Sequence, residues 1–156
     1  VLNQMREMGM DQPVYASDRA VSEEFLKLAG ENAEGVVSTS PYNPEANLPQ
    51  LKAFQESYKR RFGKEADVYA AHAYDGMNLI VKAIEQVGLN RVLIRDILTD
   101  LETFQGYPGV TGEIVFDESW NDIGEIWMAR VKDGGFEYSP SPLNYERSGS
   151  KRMPGY

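Results

Sequence analysis

The sequence predicts an α/β layered fold, and three observations carry that prediction. Short apolar runs alternate with helical stretches through the first half of the chain. Each helical stretch there is closed by a glycine. After Pro108 the texture changes to short β runs with a hairpin turn between the last two.

Residues 2–8 read as the tail of a helix already under way, stopped by Gly9. Residues 13–16 form an apolar run expected to be a buried parallel strand. A loop, residues 17–20, follows. Ser22 is the expected cap of the next helix, with Glu23 and Glu24 on its positive N-terminal end. Phe25, Leu26 and Leu28 supply its apolar face, and Gly30 ends it. Residues 35–39 read as a second strand, parallel to the first and joined to it through that helix.

Residues 40–44 are a turn-rich connector. Asn47 is the expected cap of a helix with Leu48, Leu51, Phe54, Tyr58 and Phe62 on one face, closed by Gly63. Asp67 caps a long helix over 68–87, with Ala73, Met77, Ile80 and Ile84 as its expected buried stripe and Gly88 after it. Asn90 opens another helix, carrying Ile94, Ile97, Leu98 and Leu101. The expected β runs are 112–116, 126–131 and 136–138, with residues 133–135 turning the last hairpin. The tail from Ser139 is expected to be extended.

Composition narrows the function classes. The 156 residues are enough for one domain with a core. A net charge of −8 argues against nucleic acid, since phosphate binding needs clustered Lys and Arg. Lys59-Arg60-Arg61 reads as a solvated helix face. Cysteine is absent, which excludes disulfides and thiolate zinc sites and suits an exported protein. No apolar run approaches the roughly 18 residues of a membrane span. The chain starts at Val1 with no visible signal peptide, and the helix already under way leads us to expect a missing N-terminal portion. Only two strands precede the helical stretch, fewer than a doubly wound sheet needs. A small α+β domain is the alternative.

The glycines form neither a dinucleotide fingerprint nor a phosphate loop. Residues 117–125 look superficially like a calcium loop. Position six of that loop is Asp122 instead of Gly, and position twelve is Met128 instead of Glu, so the reading fails. His72, the single histidine, reads as a packed and hydrogen-bonded residue. No catalytic residue, metal or cofactor is expected.

Asp18 follows the C-terminal end of the first strand, the end at which open parallel sheets bind ligands. There it is either a turn residue or the counter-charge of a ligand ammonium. Tyr15, Ser17, Arg19 and Tyr42 sit near the same inferred crevice as loop residues or ligand contacts. Arg19 has the geometry to grip a carboxylate. Tyr69, at a helix start, reads as core or a staple.

The run Tyr69-Ala70-Ala71-His72-Ala73-Tyr74-Asp75-Gly76-Met77-Asn78-Leu79, with the later Gly109-Val110-Thr111-Gly112-Glu113-Ile114-Val115-Phe116-Asp117, resembles the C-terminal part of the type I periplasmic binding proteins. The similarity is strongest to the Leu/Ile/Val-binding components of ABC transporters. It extends to Ala29-Gly30-Glu31-Asn32-Ala33-Glu34-Gly35, similar to the family's Ala-Gly-Glu-x-Ala-Glu-Gly block. At residues 117–125 the loop departs from the family's Phe-Asp-x-x-Gly-Asp turn, with Trp120 at its tip.

The resemblance implies an incomplete, Rossmann-like three-layer fold, a C-terminal fragment of a two-lobed binder. Residues 1–43 would belong to the second lobe, 44–124 to the first, and 125–156 would form a return ribbon and tail. It places Asp18 on the acidic residue that holds a bound amino acid's amino group. With Tyr74 as register, it places Tyr69 on a ligand-facing aromatic. Tyr74 and Asp75 themselves are expected to be structural.

The implied function is an exported, periplasmic or extracellular, non-enzymatic solute binder. It would take an amino acid-like small molecule and dock on a membrane permease, and the fragment is expected to self-associate. A ligand-sensing regulatory module of the same fold is the alternative, and an enzyme is a third class.

Overall fold

The structure, a computed structural model, describes residues 1–100, 106–117 and 119–141. Five helices and six strands fall among them: α1 (Leu2–Glu7), β1 (Tyr15–Ala16), α2 (Glu23–Ala29), β2 (Val37–Ser40), α3 (Pro49–Phe62), α4 (Val68–Val87), α5 (Arg91–Thr99), β3 (Tyr107–Pro108), β4 (Glu113–Ile114), β5 (Trp127–Lys132) and β6 (Gly135–Pro140). Single 3-10 turns occupy Asp18–Ala20 and Gly30–Ala33. Leu101, expected on α5, and the tail from residue 142 lie outside the described residues.

Four strands make one sheet in the order β1-β2-β5-β6. β1 and β2 are parallel neighbours, Tyr15 opposite Val37 and Ala16 opposite Ser38, with α2 in the crossover between them. The Ser22 hydroxyl caps α2 by accepting the Phe25 N–H at 3.1 Å, as its position predicted. β5 then returns from the far end of the chain to run antiparallel to β2, with Ser40 opposite Trp127. β6 completes the edge through a hairpin whose turn residues Asp133 and Gly134 both have positive φ, the requirement of a two-residue turn. Ser139 and Pro140, read as tail, are the last residues of β6, drawn into the ladder by Trp127 and Met128. This sheet buries Ala33, Val36 and Val131, with Phe25, Leu26, Val14 and Phe136 packed around them. Leu28 is 69% exposed and turns away from that core, contrary to expectation.

A second cluster forms on α3 and α4: Tyr42, Leu51, Phe54, Ala71 and Val110, flanked by Leu48, Tyr58, Ala66 and Val68. Phe54 packs on Tyr58 and Tyr74 with ring centroids 5.7 and 4.7 Å apart. The cap of α3 is Leu48, followed by Pro49, instead of Asn47. Proline lacks the N–H that a cap would satisfy and presets φ for the first turn. Asn47 Oδ1 accepts from Lys52 Nζ instead. Gly63 ends α3 in the left-handed conformation at φ 70°.

The long helix α4 departs most from expectation. Its buried residues are Ala71, Asp75, Leu79 and Ala83. The stripe expected to be buried lies on the opposite side: Ala73 is exposed, Met77 is 62% and Ile80 44% exposed, and Ile84 is half-buried. The apolar face is real, but most of it stays open to solvent. What draws α4 inward is Asp75, whose carboxylate accepts from Val110 N at 2.8 Å, Thr111 N at 2.9 Å and Thr111 Oγ1 at 2.7 Å. Gly109 permits this approach, because a Cβ there would collide with the Asp75 carboxylate. The β run expected over 112–116 shrinks to the two residues of β4, paired with β3, plus a bridge between Phe116 and Asp122.

Candidate functional site

The C-terminal ends of the parallel strands form one edge of the site. β1 ends at Ala16 and passes directly into Ser17 and the turn Asp18–Ala20. That turn is closed by backbone bonds from Ala20 N to Ser17 O at 3.0 Å and Val21 N to Asp18 O at 2.9 Å. Because the backbone closes the turn by itself, the Ser17 and Asp18 side chains are not used as caps. Asp18 and Arg19 are exposed, and among the described residues neither side chain makes a hydrogen bond or ion pair. Tyr15 is 75% exposed. Tyr15, Ser17, Asp18 and Arg19 thus share one strand end.

Tyr69 is placed differently. It is the second residue of α4, whose first turn is held by Asp67 Oδ1 accepting from Ala70 N at 2.8 Å. Tyr69 is 65% exposed and is not part of the α3–α4 core cluster.

Tyr42 is not a surface residue of a crevice. It is 4% exposed and lies at the centre of the helical cluster. Burial raises its hydroxyl pKa, against a lowering hydrogen bond from Gln55, and the nearby Asp67, Asp75 and Glu65 raise it further. Its contribution is packing: the connector that leaves the sheet at Ser40 enters the helical cluster through this ring.

Other polar groups are accounted for locally. His72 Nδ1 lies 2.8 Å from Val68 O within α4. Asp117 accepts from Ser119 N at 2.8 Å and Asn121 N at 2.9 Å, and the hydrogen bonds from Asn121 hold its carboxyl below the usual range. Trp120 at the tip of that loop has φ 68° and is 59% exposed. Leu98, Thr99, Phe116, Asp117 and Trp120 line a small apolar pocket there. Among the described residues no group of three or more His, Asp or Glu is placed to hold a metal.

Two features escaped the sequence reading. Gln55 ties the connector to α3, with Nε2 donating to Pro44 O at 2.8 Å and lying 3.5 Å from the Tyr42 hydroxyl. Tyr138 on β6 is brought near Glu45 and Tyr42, and burial, reinforced by both, pushes its hydroxyl up to about 12. Neither carries a local signal, because a glutamine inside a helix and an alternating tyrosine in a strand are ordinary choices.

The profile of the family described as periplasmic binding protein matches residues 1–135. The chain belongs to this family. Among curated relatives, the Leu/Ile/Val-binding protein homolog 6 of Brucella abortus is 29% identical over 143 residues, covering 87% of this chain and 36% of its own length. The leucine-binding protein LivK of Thermotoga maritima superposes with a TM-score of 0.77 at 29% identity, over 92% of this chain and 41% of its own. The branched-chain amino-acid transporter substrate-binding protein LivJ of Streptococcus pneumoniae, solved with isoleucine, gives 0.75 at 28% identity, over 90% and 40%.

The fold is therefore that of part of a type I periplasmic binding protein, and the chain spans about two-fifths or less of these relatives. No helix among the described residues is long and apolar enough to cross a membrane.

Proposed function

We propose that this chain is part of the solute-binding component of an ABC importer, taking an amino acid or similar small zwitterion between two lobes. Residues 1–43 contribute to the second lobe and 44–124 to the first, and the segment from 125 is a ribbon that crosses back. The protein is exported to the periplasm or cell exterior and delivers its solute to a membrane permease without making or breaking a bond.

The observation that carries this reading is Asp18. A carboxylate with no partner among the described residues stands at the C-terminal end of a parallel strand. That is where open sheets bind ligands. Asp18 takes the ammonium, Tyr69 covers apolar area of the solute, and Tyr15, Ser17 and Arg19 flank the entrance. The names of the Brucella, Thermotoga and Streptococcus relatives support a branched-chain amino acid as the first ligand to try.

Calorimetry with leucine, isoleucine and valine, on a polypeptide of the relatives' length carrying this sequence, tests it. Asp18→Asn should weaken binding by ~2–5 kcal/mol, as expected for a desolvated charge contact. Tyr69→Ala should cost on the order of 1–3 kcal/mol through lost apolar contact. Unchanged affinity in Asp18→Asn together with a lower melting temperature would return Asp18 to a turn-forming role.

The uncovered α4 face supports a proposal about assembly as well. Ala73, Met77, Ile80 and Val81 lie on one side of α4 and are all exposed. Such a face associates in water. The 156-residue chain self-associates through it, and light scattering that finds a stable monomer at micromolar concentration would sink this proposal.

A further inference from the structure

The two buried clusters share no residue, and the connector from Ser40 to Leu48 is one of the segments joining them. It is bonded along its whole length. Ser40 Oγ donates to Tyr42 O at 2.7 Å, Asn43 Oδ1 accepts from Glu45 N at 2.9 Å, and Leu48 N donates to Ala46 O at 2.8 Å. Those bonds shape the connector but tie it only to itself. Other links tie it to the helical side: the buried Tyr42 ring, Lys52 Nζ donating to Asn47 Oδ1 at the exposed end of the connector, and the Gln55 amide from the second turn of α3, which reaches back to Pro44 O.

We propose that Gln55 is a positioning residue. Its hydrogen bond to Pro44 O sets the angle at which the helical part leaves the sheet, and so where Tyr69 stands relative to Asp18. The geometry argues for this role over simple packing. Pro44 interrupts the connector's own hydrogen bonding, since its nitrogen carries no N–H. Pro44 is half-buried, its carbonyl needs a donor, and Gln55 supplies one from α3. Apolar contact through Tyr42 is non-directional and tolerates rotation. A hydrogen bond at 2.8 Å does not, because it weakens steeply off axis. The ligand consequence rests on the solute-binding reading above; the angular consequence does not.

The test therefore reads the angle without ligand. The chain has no cysteine, so Lys27→Cys on α2 and Glu85→Cys on α4, both exposed positions, give two unique sites for spin labels. Labelled chains are diluted into an excess of unlabelled chain, so that distances within one chain are read by pulsed electron resonance. Circular dichroism follows the fold.

With Gln55 present the distance distribution should be narrow. Gln55→Leu keeps the bulk and removes the donor, and should broaden or shift the distribution while helix content is unchanged. Gln55→Lys restores a donor of similar reach and should return the narrow distribution, which a purely space-filling role would not do. Should Gln55→Leu fail to fold, Gln55→Glu removes the donor in a water-compatible side chain and should broaden the distribution likewise. A narrow, unshifted distribution in the folded donor-less variant overturns the proposal. Broadening without any amino-acid binding in the calorimetry would leave this inference standing and remove only the solute-binding reading.

Discussion

The sheet part and the helical part of this chain hold themselves together by different means. Around β1, β2, β5 and β6 the core cluster is apolar, Ala33, Val36 and Val131 with aliphatic and aromatic neighbours, and the buried polar side chains of β2, Ser38 and Ser40, carry no charge. Around α3 and α4 the apolar cluster is accompanied by a buried carboxylate, Asp75, 1% exposed, which ties the helix to residues 110 and 111. The sheet needs no such pin, because its ladders already join segments from both ends of the chain. The helical part has only two short strands, β3 and β4, and the Asp75 bonds supply the long-range link that a ladder would otherwise give. The comparison teaches that a buried charge is placed where backbone pairing is scarce.

The strongest way to break this contrast is to remove the pin. Asp75→Ala leaves two backbone N–H groups and a hydroxyl without their acceptor, and should cost about 3 kcal/mol or more in urea denaturation. Gly109→Ala should be severe alone and much milder in the Asp75→Ala background, because the added methyl collides with that carboxylate. Equal costs in both backgrounds would show that the close approach is not what glycine serves.

On the sheet side the expected loss is smaller and of another kind. Val131→Ala removes buried apolar volume, and no polar group loses its partner. A cost of about 2 kcal/mol follows from transfer plus a small cavity.

Tyr138 lies where the two parts meet, and pH sharpens the comparison there. Its folded pKa, about 12, is raised above the ordinary tyrosine value, so the neutral phenol is the form that folding favours. That contribution is complete below about pH 10 and is lost as pH rises from about 10 toward 12. Alkaline denaturation should start later in Tyr138→Phe than in the parent chain, and identical profiles would remove Tyr138 as the cause. The smallest effect belongs to the hairpin pair Lys132–Glu137, 2.8 Å apart but on side chains more than half exposed. Glu137→Gln should leave the melting temperature within experimental scatter.

Much of the fold was legible because its signals are local. Ser22, Asp67 and Asn90 each cap the helix they were expected to cap. The Asp133–Gly134 turn joins the strands it was expected to join. At the site, Tyr15, Ser17, Asp18 and Arg19 gather at one strand end because they are neighbours in sequence. Tyr42 failed as a surface contact for the converse reason: its burial depends on Leu51, Phe54, Ala71 and Val110, residues 9 to 68 positions away. The α4 stripe shows the limit most clearly. Its 3.6-residue period identified an apolar face, but periodicity does not say which neighbours are present to bury it.

By itself the sequence determined where the helices other than α3 start, where the hairpin turns, and that the two strands flanking α2 would lie parallel. Caps, glycine stops and turn residues act through bonds to backbone groups within about four residues, and short-range chemistry is written in short-range order. Only the tertiary structure decided that β5 and β6 return to β2, that α4 turns its Asp75 side inward, that Pro13 to Ala16 yields just two paired residues, and that Gln55 holds Pro44. Each of those depends on a partner delivered from elsewhere in the chain. A donor or an apolar face specifies what it can bind, while packing determines what comes within reach of it.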